Sequence, residues 1–272
     1  DPVLVARAAA IHALGDIWAM GATPQAGVAS VILPRMAARL QGAWLDEVMA
    51  AARDVFAAAG AEIVGGHSAM GAELTLGFTV TGLLDRAPIT LSGARAGDAL
   101  ILSRGIGTGV VLAGEMQMRA HGAEVAAVWA QMSTPQGDAA EILAPHTHAM
   151  TDVTGFGLAG HLGNLCAASG VGAEVWLTQV PLLPGALRLS EAGLRSTLFA
   201  QNQAALAGRV ALADTPLGAL VFDPQTAGGL LAAVPADLAA GLVARLRAKG
   251  HDAAQIGAVT TTPQMVFHAS RP

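Results

Sequence analysis

The sequence predicts an α+β fold in two parts, and three observations carry that expectation. Helix-period and strand-period segments are mixed along the 272 residues without the strict alternation of a doubly wound sheet. From Glu73 to Leu84, Leu74, Leu76, Phe78 and Val80 alternate with Glu73, Thr75, Gly77 and Thr79, the period of a strand with one buried face. The stretch from Asp85 to Asp98 is rich in turn residues, Pro88, Gly93 and Gly97 among them, and reads as the boundary between residues 1–87 and 95–272.

Element by element, Asp1-Pro2 is a helix start, Asp as N-cap and Pro in the first turn, and the helix should run from about Val3 to Met20 and stop at Gly21. Gly27 to Leu33 reads as a buried strand. An amphipathic helix from Leu45 to Ala59 is closed by Gly60. Ala61 to Val64 is a short strand ending in the turn Gly65-Gly66-His67-Ser68. Beyond the boundary the expected order is a strand at Ala99 to Leu102, three helices between Gly107 and Thr147, a strand at Ala149 to Val153 and a helix at Phe156 to Ser169. A strand at Gly172 to Leu177 and helices near Gly185 to Glu191 and Gln201 to Leu212 follow. A strand at Leu230 to Val234, a helix at Ala236 to Lys249 and two strands end the chain.

Composition narrows the function. Hydrophobic residues make up 53% and charged residues 13%, which excludes a disordered chain. A net charge of -5 with no basic patch leaves little to neutralise a nucleic-acid backbone. The long uncharged stretches, Ile17 to Pro34 and Val153 to Ala173, are interrupted by Pro, Gln, His, Asn and Gly, so no membrane span is expected. No basic n-region precedes an apolar core, so no signal peptide is expected. The single cysteine, Cys166, fits a reducing, cytoplasmic compartment.

Two acids stand out. Asp16 lies near the C-terminal end of an apolar helix, where the helix dipole disfavours its charge by about 0.3–1 kcal/mol; it is either an exposed polar position, or paired with a distant Arg, or an acid that wants a cation. Asp152 leaves a strand and enters Thr151-Asp152-Val153-Thr154-Gly155-Phe156-Gly157. It either caps the next helix or aims a carboxylate at a divalent metal beside a phosphate-holding helix start. Gly65, Gly66 and His67 allow close approach of backbone to an anionic ligand, or simply end a strand. Gly155-x-Gly157-x-x-Gly160 with Glu174 matches a dinucleotide fingerprint, but Asp152 would repel a pyrophosphate there, so it reads as a decoy. His146 and His148, two apart, could ligate a metal but read first as a solvated helix end, and Cys166 reads as inert core rather than nucleophile. Composition assigns Asp223-Pro224-Gln225-Thr226-Ala227-Gly228-Gly229 no chemistry beyond a turn.

Together these segments resemble the selenophosphate synthetase (selenide, water dikinase) family, in the aminoimidazole ribonucleotide synthetase (PurM-like) superfamily. The stretches that carry the resemblance are Gly15 to Gly21, Gly65 to Ser68, Thr151 to Leu162 and Asp223 to Leu231, in order from end to end. The resemblance implies a PurM-like two-domain architecture, an incomplete N-terminal α/β dimerisation domain followed by a C-terminal α+β domain. It implies ATP and selenide as substrates, with selenophosphate, AMP and phosphate as products. It implies that Asp16 and Asp152 hold Mg2+ on the ATP phosphates, that Asp16, Gly65, Gly66 and His67 contact nucleotide, and that two copies form a homodimer through β-strands. The family also carries a glycine-rich segment with a reactive Cys or selenocysteine, a catalytic Lys and a further Asp. This chain opens at the family's first long helix and its one lysine, Lys249, lies in a late helix, so no catalytic residue of that segment is expected here. The expectation is a portion of a longer or fused protein without dikinase turnover of its own. A non-catalytic dimerising or regulatory module and another ATP-dependent member of the superfamily are the alternatives.

Overall fold

The computed structural model describes residues 1–271, and the architecture is α+β. The Asp1 carboxylate accepts the Val3 and Leu4 N–H groups at 2.9 and 3.4 Å, with Pro2 in the first turn, and α1 runs Pro2–Ala19. Gly21, at φ +68°, ends it. By length and composition alone α1 is long and apolar enough to cross a bilayer, a stretch that the uncharged-stretch reading did not give because Arg7 and Asp16 interrupt it. Here it is a core helix, with Ala6, Ala10, Ile11, Leu14 and Trp18 buried under protein.

The first sheet joins β1 (Thr23–Pro34), β2 (Glu62–Gly71) and β3 (Thr75–Leu83) in the order β2-β1-β3, with α2 (Ala38–Ala58) packed on one face. The expected alternation in β3 is present, with Leu76, Phe78 and Val80 turned inward. Leu76 and Phe78 meet Ala29, Val31 and Leu33 of β1 and Trp44, Leu45 and Met49 of α2, while Val80 packs against the main core. β1 alternates as well, so it is half-buried rather than buried throughout. The outer face lies open, with Val28, Val64 and Leu83 exposed.

Two further expectations fail in this part. The first turns of α2, from Ala38, are exposed and carry no apolar stripe, so periodicity reached only from Leu45 onward. Gly65 to Ser68 is not a turn. β2 runs through it to Gly71 because β1 pairs with it in parallel from Ala26↔Glu62 to Pro34↔Gly71, and the ladder outweighs the low strand propensity of glycine. Gly66 is required there, since a Cβ would overlap the Ala29 carbonyl.

Residues 84–98 carry no helix or strand. Next come β4 (Ala99–Leu102), α3 (Thr108–Met116), α4 (Gly122–Met132), α5 (Gly137–Leu143), β5 (Ala149–Asp152), α6 (Gly157–Ser169) and β6 (Gly172–Trp176). They are followed by α7 (Ala186–Glu191), α8 (Phe199–Ala205), β7 (Val210–Ala211), α9 (Pro216–Ala219), β8 (Leu230–Val234), α10 (Ala236–Ala248), β9 (Ala254–Thr260) and β10 (Met265–His268). The second sheet has the order β5-β8-β4-β9-β6-β10-β7. The helix expected over Gln201 to Leu212 stops at Ala205. Gly208, at φ +76°, turns the chain, and Val210–Ala211 pairs with β10 as an edge strand. α1 lies between the two halves, against α2 and β3 on one side and α4, α5 and β5 on the other. That placement builds the site.

Candidate functional site

Asp16 and Asp152, far apart in sequence, are neighbours. Asp152 ends β5, held opposite Leu230 of β8, while Asp16 sits in the last turns of α1. Gly15 lets the two elements meet, because a Cβ at that position would stand 3.0 Å from Asp152 Oδ2. Asp152 is 8% exposed, whereas Asp16 is open to a groove. Burial, and then the charge of Asp16, push the Asp152 carboxyl up to about 6. Among the described residues no cation offsets either effect. Asp152 does not cap α6, whose first turn has no side-chain cap.

The groove of about 580 Å3 beside Asp16 is lined by Val5, Ala8 and Ala13 of α1, Phe78 of β3, Trp129 and Met132 of α4, and the polar residues His12 and Thr226. A mostly apolar cleft with a few convergent polar groups is the usual form of a ligand site. A second cleft of about 490 Å3, between Trp18 and α5, carries Asp138 and Glu141, but Asp138 is already bonded to His251 Nε2 at 2.9 Å.

The Asp223 to Gly229 turn, to which composition gave no chemistry, is the clamp that shapes this groove. Gln225 Oε1 accepts the N–H groups of Gly107 and Thr108 at 2.9 and 3.1 Å, and the Thr108 hydroxyl at 3.1 Å. Asp223 accepts Val110 N–H at 3.0 Å, so both side chains satisfy the open amides at the start of α3. Burial nonetheless pushes the Asp223 carboxyl up to about 6, against the hydrogen bonds that pull it down. The Thr226 N–H donates to Thr108 Oγ1 at 3.0 Å, and the Ala227 N–H donates to His12 Nδ1 at 3.1 Å. Ala227 itself is in the left-handed region at φ 47°. Arg104, buried, holds the turn from behind through the carbonyls of Ala227, Gln131, Thr134 and Pro135, and burial lowers its guanidinium to about 9.

On the other side of Asp152, His161 Nε2 accepts the Thr154 N–H at 2.9 Å. Burial lowers His161 to about 4, which keeps the ring neutral and able to accept. The segment is therefore held by a histidine, and the dinucleotide fingerprint lacks the neighbouring parallel strands of a Rossmann unit: β5 is an edge strand antiparallel to β8, and β6, which follows α6, is separated from it by three strands.

Gly65, Gly66 and His67 line a different groove, with Ala29, Val31 and Arg53, on the β2 edge of the first sheet. The Asp16 groove borders β3 at the opposite edge, so one chain does not bring these three residues to the carboxylate pair. Among the described residues no group of three or more His, Cys, Asp or Glu side chains is placed to hold a metal ion by itself. His148 is not solvated as expected but bonded through Nδ1 to Asp98 at 2.9 Å. Cys166 is buried, and its thiol is pushed up to about 11, as inert core requires. Sequence reasoning passed over His12. Its one signal was the i, i+4 spacing to Asp16, which sets both on one helix face.

Fold and site define the class. Residues 1–84 match the N-terminal domain, and residues 95–269 the C-terminal domain, of the AIR synthase related proteins. The ATP complex of the hydrogenase maturation protein HypE superposes with a TM-score of 0.72 at 21% identity, over 97% of this chain and 75% of that one, a likeness of fold. The selenide, water dikinase of Bdellovibrio bacteriovorus is 34% identical over 265 residues, which are 95% of this chain and 75% of the relative. That of Pelobacter propionicus is 36% identical over 271 residues, 97% of this chain and 77% of the relative. The chain belongs to the selenide, water dikinase family, a group of kinase-type enzymes.

Proposed function

We propose that the chain binds ATP with its phosphates held through Mg2+ between Asp16 and Asp152, in an enzyme that converts ATP, selenide and water to selenophosphate, AMP and phosphate. The observation that carries this reading is a buried carboxylate set against a second one, with no cation paired to either among the described residues. Two hard oxygen donors without a positive partner suit Mg2+, which keeps several waters and is commonly bound by one or two carboxylates plus substrate phosphates. Bound there, it would neutralise phosphate charge and align the transfer. Asp152, set by β5 and shielded from water, supplies a fixed ligand, and Asp16 supplies one from the groove side. The α3 clamp keeps Thr226 and Ala227 at the rim.

In this reading Gly65, Gly66 and His67 contact the nucleotide of a second copy. Their exposed edge position and the open outer face of the first sheet support that arrangement. Residues 1–87 are the dimerising, nucleotide-binding part and residues 95–272 the α+β part. The compartment is the cytoplasm.

The chain by itself is proposed not to turn over. Its one lysine, Lys249, is exposed at the end of α10, and its one cysteine is sealed in the core. Phosphorus NMR of ATP with Mg2+, selenide and the chain tests both statements. The expected result is perturbed phosphate resonances with the wild type and free-ATP resonances with Asp152→Asn. Unperturbed resonances with the wild type would overturn the nucleotide reading, and formation of AMP and selenophosphate would overturn the statement on turnover.

A further inference from the structure

His12 has its two ring nitrogens in different situations. Nδ1 accepts the Ala227 N–H at 3.1 Å, so Nδ1 carries a lone pair and the ring proton belongs to Nε2. An imidazolium has no lone pair at Nδ1 and is incompatible with that bond. Burial acts in the same direction, lowering the ring below its ordinary value against the pull of the Asp16 charge. Among the described residues no protein group accepts from Nε2, and His12 lines the same groove as Asp16 and Thr226. The result is a neutral ring with a fixed tautomer and one unspent donor. It stands one helical turn from a carboxylate that can meet an anion only through a cation.

We propose that the Nε2–H of His12 donates directly to a phosphoryl oxygen of the ligand held beside Asp16, making His12 a binding residue of the site. The inference rests on the nucleotide reading above and adds to it a neutral donor that acts beside the metal ligands. A ring serving only to tether the Ala227 turn would leave Nε2 unchanged when ligand enters. A ring in contact with phosphate would not.

The test uses the full chain labelled with 15N at histidine, with Mg2+-tripolyphosphate and Mg2+-ATP as probes. In the free protein the Nε2–H tautomer is expected. On saturation with Mg2+-tripolyphosphate the Nε2 proton should shift downfield while Nδ1 stays unprotonated. By calorimetry, His12→Ala should bind tripolyphosphate about tenfold or more weakly, as loss of a hydrogen bond to a charged group requires. His12→Asn, whose amide can still accept from Ala227 and donate over a shorter reach, should recover part of that loss. Saturable binding with an unmoved Nε2 proton, or His12→Ala binding as tightly as the wild type, would overturn the proposal and leave the nucleotide reading standing. A wild type that binds neither probe would overturn both.

Discussion

Asp152 is where burial and function pull against each other. In the unfolded chain it ionises near 3.8 and in the folded chain near 6, because burial and Asp16 disfavour its charge. A folded pKa raised in this way contributes stability that is fully present below 3.8 and is lost as pH rises through about 6. Asp152→Asn removes that loss. Urea denaturation of the metal-free proteins should show the variant and the wild type alike near pH 4, and the variant more stable at pH 7 by on the order of 2–3 kcal/mol. Equal stability at both pH values would contradict the burial argument. His161 contributes with the opposite sign, since its pKa is lowered to about 4 and its contribution is lost as pH falls through that value. Being common to both chains, it cancels in the difference. At this scale the sequence exposed both acids, one by the helix dipole and one by its place after a strand. It could not expose His12, whose tautomer is set by an amide in the Asp223 to Gly229 turn.

Among the elements, α1 does most to create the site, because it touches both halves of the molecule. Its glycine decides the approach. Gly15→Ala would favour the helix by about 1 kcal/mol on propensity alone, yet the added methyl would stand 3.0 Å from Asp152 Oδ2. The variant should therefore fold with near wild-type stability and bind Mg2+-ATP several-fold more weakly in calorimetry; unchanged affinity would show that the close approach is unimportant. The turn after α9 supplies a second prediction. Gln225→Leu orphans the Gly107 and Thr108 amides and should cost about 2–4 kcal/mol in urea denaturation, while a cost below about 0.5 kcal/mol would contradict the clamp. Elements bounded by glycine or polar residues, such as β4, β8 and α10, were legible because local pattern and tertiary role agree. β2 was not, since its glycines mimic a turn and only pairing with β1 shows otherwise. The length of α2 was hidden by its exposed first turns.

For the whole molecule, the open outer face of the first sheet is the outstanding feature. Val28, Val64 and Leu83 are 44%, 65% and 58% exposed, on a face that no other part of the described chain covers. Apolar exposure of this kind on a sheet marks an interaction surface, and a second copy is its proposed occupant. Sedimentation should give a dimer for the wild type and a monomer for Val28→Arg combined with Val64→Arg; a monomeric wild type would contradict the pairing. None of this was readable from composition, because the alternation that buries one face of β3 says nothing about what meets the other. The meeting of α1 with β5 was implied by the family resemblance and by no local pattern, and the phosphate reading depends on it. A double-mutant cycle on Mg2+-ATP affinity, with Asp16→Asn, Asp152→Asn and both together, tests that meeting most directly. If the two carboxylates share one ion, the double variant should bind little worse than either single one; losses that simply add would mean that they act apart.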